Sequence, residues 1–205
     1  MPPAPRLHLD TAEELACRVD DAYNVGMKTI AFVDMDGVLV DFVAGVLKHF
    51  GREHIPHRDI QWGIEEQMGC TKDEFWGQLG HLFWANLPWT NEGKALLDGV
   101  RRICGDNIVI LTSPSRTPGC VDGKLDWVRR EIPALADSVI MCKRKGFVAH
   151  SNAVLLDDHN KNVDEFSEAG GRTLLIPRPW NRRKDETCPL GRFDVAKVLD
   201  ELMVA

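Results

Sequence analysis

Two pairs of aspartates stand where short apolar segments end. Asp34 and Asp36 follow one such segment, and a spacing of two places both side chains on the same side of an extended chain. Asp157 and Asp158 follow residues 153–156 in the same way. Burying like charges together is costly unless they share a proton or hold a cation. Carboxylates converging from both pairs would make an oxygen-rich site suited to Mg²⁺.

Hydroxyl groups and a lysine accompany these acids. Residues 108–111 form another apolar segment, and Thr112 and Ser113 follow it directly. Their hydroxyls can donate hydrogen bonds to anionic oxygens, and Lys145 can supply a point positive charge. The set as a whole therefore favours a site for an anionic substrate held beside a divalent cation.

Strands alternating with helices would bring these residues together. The apolar segments are short and end in polar residues, as buried parallel strands do. Amphipathic stretches predict helices between them, and a further helix is expected at residues 10–25. The strands are expected at residues 29–33, 108–111, 138–141, 153–156 and 173–176. This order predicts a mostly parallel sheet with helices on both faces and a ligand site outside the carboxyl ends of the strands.

Composition restricts the class of protein. The chain has 205 residues, of which 44% are hydrophobic, so a folded core is expected and dominant disorder is excluded. A net charge of −6 gives no general attraction to nucleic-acid polymers or anionic membranes. The six cysteines contain no Cys-x-x-Cys pair, which favours reduced thiols and a cytoplasmic location. The segment 119–124 is one residue too short for a P-loop and lacks its hydroxyl residue.

Taken in order, the motifs resemble those of the haloacid-dehalogenase superfamily of aspartyl phosphatases. The matching segments are Asp34-Met-Asp36-Gly37, Leu111-Thr112-Ser113, Lys145 and Leu155-Leu156-Asp157-Asp158. A closer resemblance is to the 5′(3′)-deoxyribonucleotidases, through residues 34–42, 111–114, 125–128 and 83–88. The match is poorer within 43–82, and His159-Asn160 replaces the Arg-Pro that usually follows the last motif. These departures concern the substrate rather than the chemistry.

The resemblance implies a fold and a mechanism. It implies a Rossmann-like α/β core at residues 1–42 and 90–205, with a helical cap at 43–89 inserted after the first strand. Asp34 would be the nucleophile and Asp36 the general acid and base. The expected Mg²⁺ ligands are Asp34, Asp36 through its backbone carbonyl, and Asp157 or Asp158. The expected phosphate-binding residues are Thr112, Ser113, Arg116 and Lys145, with Lys143 and Arg144 as alternatives to Lys145.

The cap is rich in aromatic residues, and they have two interpretations. Phe75, Trp76, Phe83 and Trp84 are expected to form the small core of the cap. Phe42 and Trp62 align with pocket aromatics of the resembling nucleotidases and are expected to stack on a nucleobase. The basic segment 178–184, after the last strand, is expected to be a solvated loop, and an edge of the active-site mouth is the alternative.

The sequence thus predicts a Mg²⁺-dependent phosphomonoester hydrolase that forms an aspartyl-phosphate. A 5′(3′)-deoxyribonucleotidase acting on nucleoside monophosphates is the first hypothesis. A phosphatase for another small phosphomonoester, such as a sugar phosphate, is the second. A phosphoacceptor signalling module would place its lysine last, whereas here Asp157 and Asp158 follow Lys145. A degenerate, purely binding fold is disfavoured because every motif keeps a chemically competent residue.

Overall fold

A five-stranded parallel sheet forms the centre of the molecule. The computed structural model describes residues 29–61, 63–188 and 190–204, so the helix predicted at 10–25 and Trp62 lie outside the described residues. The strands are β1 (Ile30–Val33), β2 (Ile108–Thr112), β3 (Val139–Met141), β4 (Ala153–Asp157) and β5 (Arg172–Leu175), in the order β3-β2-β1-β4-β5. All neighbouring strands are parallel. The predicted α/β fold is confirmed.

Helices cover both faces of the sheet. They are α1 (Phe42–His49), α2 (Ile64–Gln67), α3 (Lys72–Gln78), α4 (His81–Ala85), α5 (Gly93–Cys104), α6 (Cys120–Glu131), α7 (Asn160–Glu168) and α8 (Val195–Val204). None of these described helices is long and apolar enough to cross a membrane. The predicted helices at 90–103 and 122–131 correspond to α5 and α6, with boundaries that differ by a few residues.

Alternation along β1 divides the core between the two faces. Ala31 and Val33 pack into the larger apolar cluster, which includes residues of α5 and α8. Phe32 points to the other face and meets Phe166 of α7 edge to face, with ring centroids 6.0 Å apart. Because period two sends neighbouring side chains to opposite faces, β1 is buried from both sides. This explains why its sequence is an unbroken apolar run rather than an alternating one.

Helices α1 to α4 lie in the chain between β1 and α5. Asp41 caps α1 by accepting a hydrogen bond of 2.8 Å from the amide of Ala44, and Thr71 with Glu74 forms a capping box on α3. Their apolar side chains join the larger core cluster. A Cβ on Gly123 of α6 would lie 2.6 Å from the carbonyl oxygen of His81, so this glycine lets α4 pack closely on α6. The domain boundaries at residues 42 and 90 stay a prediction.

Candidate active site

The site lies at the end of β1, where the order of strands in the sheet reverses. From β1 the chain proceeds to β2 and β3 on one side, and then crosses back to β4 and β5 on the other. Ligands in such sheets bind outside the carboxyl ends of the strands at this reversal. Val33 pairs with Leu156 of β4, so Asp34 and Asp157 leave the sheet side by side.

Three buried carboxylates converge at this edge. One oxygen from each of Asp34, Asp157 and Asp158 lies within 4.8 Å of the others, and we call these residues the carboxylate cluster. Burial is the main reason that the pKa of Asp34 rises to about 7, with Asp157 and Asp36 adding to the rise and Lys145 opposing it. Burial also raises the pKa of Asp158 well above its usual range, reinforced by Asp157 and Asp34.

Lys145 is the cation that the fold buries inside the carboxylate cluster. It begins a short 3₁₀ turn, Lys145–Val148, between β3 and β4. Its Nζ lies 2.8 Å from Asp34 Oδ1 and 2.5 Å from Asp157 Oδ2. Burial opposes the charge on this lysine, but the two carboxylates outweigh burial and raise its pKa above the ordinary value. The alternatives Lys143 and Arg144 are exposed, so Lys145 is the residue of this segment that reaches the acids.

Asp157 is held from several directions. Its Oδ1 accepts a hydrogen bond of 2.8 Å from the amide of His159, and both oxygens accept from Asn162 Nδ2 at 3.1 and 3.0 Å. Asn162 belongs to the first turn of α7, so this helix fixes the orientation of the carboxylate. These donors, together with Lys145, fix the position of the Asp157 carboxylate.

Gly37 makes room for Asp158. Its φ of +74° is one that residues with side chains rarely adopt, and a Cβ there would lie 2.2 Å from Asp158 Oδ2. Its amide donates to the carbonyl of Val40 at 2.8 Å, closing the turn that follows β1. The glycine therefore allows the turn after Asp36 to approach the second aspartate pair.

Asp36 lies apart from the carboxylate cluster. Its side chain accepts a hydrogen bond from Lys124 Nζ, and the same amino group donates to Thr112 Oγ1 at 2.8 Å and to the carbonyl of Ser113 at 2.9 Å. Lys124 is fully buried on α6. The two aspartates of the first motif thus have different partners, a buried acidic cluster for Asp34 and a single lysine for Asp36.

Sequence reasoning did not identify Lys124. As a sequence, the segment 119–124 suggests only an incomplete P-loop. The available signal is the helical spacing, because Lys124 follows Cys120 by four residues and precedes Trp127 by three, and both are buried. A lysine on the apolar side of a helix needs a partner, which here is Asp36.

The remaining predicted phosphate-binding residues differ in their environments. Thr112 ends β2 and is fully buried, with its hydroxyl on Lys124. Ser113 directs its hydroxyl to the carbonyl of Cys142 at 3.3 Å. Arg116 is exposed on the loop after β2, and its side chain has no ion pair with the buried acids among the described residues. The phosphate-binding roles of all three stay predictions.

Phe42 belongs to a group of packed rings. It stacks with Trp76 and Trp84 at centroid distances of 6.0 and 5.6 Å, and meets Phe83 edge to face at 5.8 Å. We call these four residues the aromatic cluster. Lys124 Nζ lies 5.0 Å from the centroid of Trp84, so the aromatic cluster borders the lysine that holds Asp36. The predicted stacking partner Trp62 lies outside the described residues.

Three residues after β5 also reach the site. Trp180 Nε1 donates to Asp158 Oδ2 at 2.6 Å, Asn181 donates to the carbonyl of Asp158, and Arg178 donates to the carbonyl of Gly37. The expectation of a solvated loop at 178–184 is therefore wrong for its first half, since Arg178 and Asn181 are buried. Their partners are remote in sequence, so the charge composition of the segment does not reveal that these side chains are buried.

Comparison with solved structures agrees with this architecture. A haloacid dehalogenase-like hydrolase from Streptococcus pneumoniae is 13% identical, with a TM-score of 0.52 over 85% of this chain and 98% of that one. A dehalogenase solved as an intermediate complex is 14% identical, with a TM-score of 0.52 over 85% of this chain and 96% of that one. At these identities the likeness establishes the fold. No curated protein sequence matches the chain significantly.

A family model matches most of the chain. Its description is 5′ nucleotidase, deoxy (pyrimidine), cytosolic type C protein, and it spans residues 28–193. That range includes both aspartate pairs, the two buried lysines and the segment after β5. The chain therefore belongs to this 5′-nucleotidase family and is a phosphatase with a haloacid-dehalogenase fold.

Proposed function

We propose that the protein is a Mg²⁺-dependent phosphomonoester hydrolase that removes phosphate from nucleoside monophosphates, of the 5′(3′)-deoxyribonucleotidase type. The main support is the separation of the first two aspartates. Asp34 lies in the carboxylate cluster beside Lys145. Asp36 is only two residues further along the chain, but its partner is Lys124. One carboxylate is thereby suited to attack phosphorus, and the other is suited to move protons.

In the proposed reaction, a carboxylate oxygen of Asp34 attacks phosphorus in line with the ester oxygen. The new P–O bond gives an aspartyl-phosphate as the ester P–O bond breaks. Asp36 donates a proton to the leaving oxygen, and then accepts a proton from the water that hydrolyses the intermediate. Lys145 and Thr112 would hold the phosphate oxygens, with Ser113 and Arg116 nearby on the same loop.

The carboxylate cluster fits a divalent cation. Its donors are all carboxylate oxygens, which Mg²⁺ prefers, and three acids are buried together beside one lysine. Asp34, Asp157 and Asp158 would hold the ion, with the backbone carbonyl of Asp36 as a further ligand. When bound, Mg²⁺ neutralises the negative charge of the carboxylates and the phosphate.

The aromatic cluster supports a nucleotide over a smaller phosphomonoester. The ring centroid of Trp84 in this cluster lies 5.0 Å from Lys124 Nζ, and Lys124 donates to Asp36, the proposed proton donor to the leaving group. A base attached to that leaving group would therefore extend toward the aromatic cluster. Phe42 is partly exposed, so part of its side chain is available to a base. Base stacking tolerates different bases, which leaves base and sugar preference to the experiment.

We also propose a cytoplasmic location. The described cysteines Cys70, Cys104, Cys120, Cys142 and Cys188 are all free thiols. Unpaired cysteines in a chain of this size are typical of reducing compartments.

The test is phosphate release across nucleoside monophosphates and sugar phosphates, with Mg²⁺ and with EDTA. We expect nucleotides to be hydrolysed best, and we expect EDTA to abolish release because three buried carboxylates would then repel the incoming phosphate. Adding Mg²⁺ after EDTA treatment should restore the rate. Faster turnover of a sugar phosphate would contradict the nucleotide assignment alone, whereas full activity in EDTA would contradict the cation requirement.

Phe42→Ala should reduce selectivity for nucleotides. A stacked base gains on the order of 1–3 kcal/mol from an aromatic ring, so kcat/KM for nucleotides should fall by roughly tenfold to a hundredfold. The loss should be nearly absent for a small alkyl phosphate that does not reach the aromatic cluster. Phe50→Ala is the matched control, because Phe50 directly follows α1 and stacks on Phe75 of α3 at 5.3 Å, outside the aromatic cluster. An equal loss for both substrates in Phe42→Ala would assign this ring to packing.

A further inference from the structure

The loop after β5 is built around one buried asparagine. Asn181 Nδ2 donates to the carbonyl of Ile176 at 2.7 Å, at the end of the sheet, and to the carbonyl of Asp158 at 2.8 Å. Its Oδ1 accepts from the amide of Arg183 at 3.0 Å. Because both ends of this side chain are engaged, the loop has a defined path across the edge of the site and is tied to the backbone of Asp158.

The same loop also contacts the turn that follows β1. Arg178 is buried, and its Nε donates to the carbonyl of Gly37 at 2.6 Å. Its Nη1 lies 3.2 Å from Glu92 Oε2, a buried carboxylate just before α5. Arg178 therefore joins the first aspartate motif to the segment that leads into α5, and it holds the loop against Gly37.

Trp180 then reaches the carboxylate cluster itself. Its indole N–H donates to Asp158 Oδ2 at 2.6 Å. That oxygen is also the atom closest to the missing Cβ position of Gly37. The carboxylate of Asp158 is thus enclosed between a glycine turn that gives it space and an indole donor that fixes its rotation.

We propose that Trp180 is a positioning residue for the cation site, whose indole N–H orients the Asp158 carboxylate toward Asp34 and Asp157. This inference rests on the proposed Mg²⁺ dependence. Hydrogen-bond donors that orient a ligating carboxylate typically change metal affinity or activity by about 10- to 100-fold when removed. Asp157 has such donors in Asn162 and the amide of His159, and Trp180 provides the corresponding function for Asp158.

The test compares Mg²⁺ binding in Trp180→Phe and in the unaltered protein by calorimetry, with Mg²⁺ alone as the ligand. Phenylalanine keeps an aromatic ring and removes only the donor, so we expect the Kd for Mg²⁺ to rise by about 10- to 100-fold. The Mg²⁺ concentration for half-maximal activity should rise in parallel. At saturating Mg²⁺, kcat should return to within about threefold of the unaltered value, because a residue that acts through Asp158 changes cation binding rather than the chemical step.

Trp89→Phe is the matched control. Trp89 Nε1 donates to the Glu131 carboxylate at 2.8 Å, so this substitution also removes an indole-to-carboxylate hydrogen bond, but away from the carboxylate cluster. Its Kd for Mg²⁺ should equal that of the unaltered protein. Equal Mg²⁺ affinity in Trp180→Phe and the unaltered protein would overturn the positioning role. Failure of the unaltered protein to bind Mg²⁺ would instead overturn the proposed cation dependence.

A measurement on the unaltered chain keeps the proposal testable if Trp180→Phe does not fold. The indole ¹⁵N–H resonance of Trp180 can be assigned in the unaltered protein by triple-resonance and NOE experiments, without any variant. It should shift when Mg²⁺ is added, while that of Trp89 should not. A Trp180 resonance that does not respond to saturating Mg²⁺ would overturn the proposal.

Discussion

Asp34→Asn should abolish phosphatase turnover while leaving the protein folded. Loss of the nucleophile removes the covalent step, so we expect kcat to fall by more than about 10³-fold, with only binding and electrostatic effects remaining. The amide has nearly the same shape as the carboxylate, and Lys145 keeps Asp157 as its partner at 2.5 Å. The measurement is phosphate release at saturating Mg²⁺, together with thermal unfolding.

The difference in Tm between Asp34→Asn and the unaltered protein also has an expected direction. Burial raises the folded-state pKa of Asp34 to about 7, whereas its unfolded pKa is 3.8. The free energy of unfolding therefore decreases as pH rises from 3.8 toward 7, because the unfolded chain loses this proton more readily. An amide does not ionise, and in Mg²⁺-free buffer at pH 7 the Tm of Asp34→Asn should equal or exceed that of the unaltered protein. A folded Asp34→Asn protein with substantial turnover would contradict the covalent mechanism.

The control for Asp34→Asn is Asp106→Asn. Asp106 is exposed and precedes β2, at the end of the sheet opposite the carboxylate cluster. The same change of functional group there should leave kcat, KM and Mg²⁺ dependence unchanged. A comparable loss in both variants would indicate that the assay responds to surface charge rather than to the nucleophile.

The parts of the site that sequence predicts are those at strand ends. Asp34, Thr112 and Asp157 each follow or end a short apolar segment, and parallel strands must deliver such residues to one edge. The convergence of Asp157 with Asp34 therefore follows from topology. The hydrogen-bond partners of Asp157 do not follow from topology, because His159 and Asn162 hold this carboxylate through the local geometry at the start of α7.

The parts that sequence reasoning misplaced depend on distant partners. Arg178 resembles a solvated arginine in a basic loop, yet its partners Gly37 and Glu92 are 141 and 86 residues away. Lys124 lies on a helix, and its partner Asp36 is 88 residues away. A buried charge is tolerated only where its partner is also present, and the pairing is a property of the folded chain. The number of charged residues in a segment therefore does not show whether the segment is a solvated loop or is buried against distant residues.

Lys124→Met should impair proton transfer to the leaving group. Methionine has a similar length without the charge, so Asp36 and Thr112 would lose their shared donor. General acid catalysis contributes about 10²- to 10⁴-fold, and we expect kcat/KM for a nucleoside monophosphate to fall by an amount within that range if Asp36 is no longer held. The measurement is kcat/KM for a nucleotide and for 4-nitrophenyl phosphate, whose leaving group needs little protonation.

The ratio of the two substrates separates two roles of this lysine. If Lys124 acts through Asp36, the nitrophenyl ester should be affected at least tenfold less than the nucleotide, because its departure depends weakly on an acid. If it acts through Thr112, both substrates should slow equally, because they share the phosphoryl group. Lys145→Met is the matched control, a second buried lysine at the same edge that contacts Asp34 instead, and it should slow both substrates alike. Equal losses in Lys124→Met would contradict the assignment of Lys124 to the acid, because a lysine holding Asp36 must matter most where the leaving oxygen needs a proton.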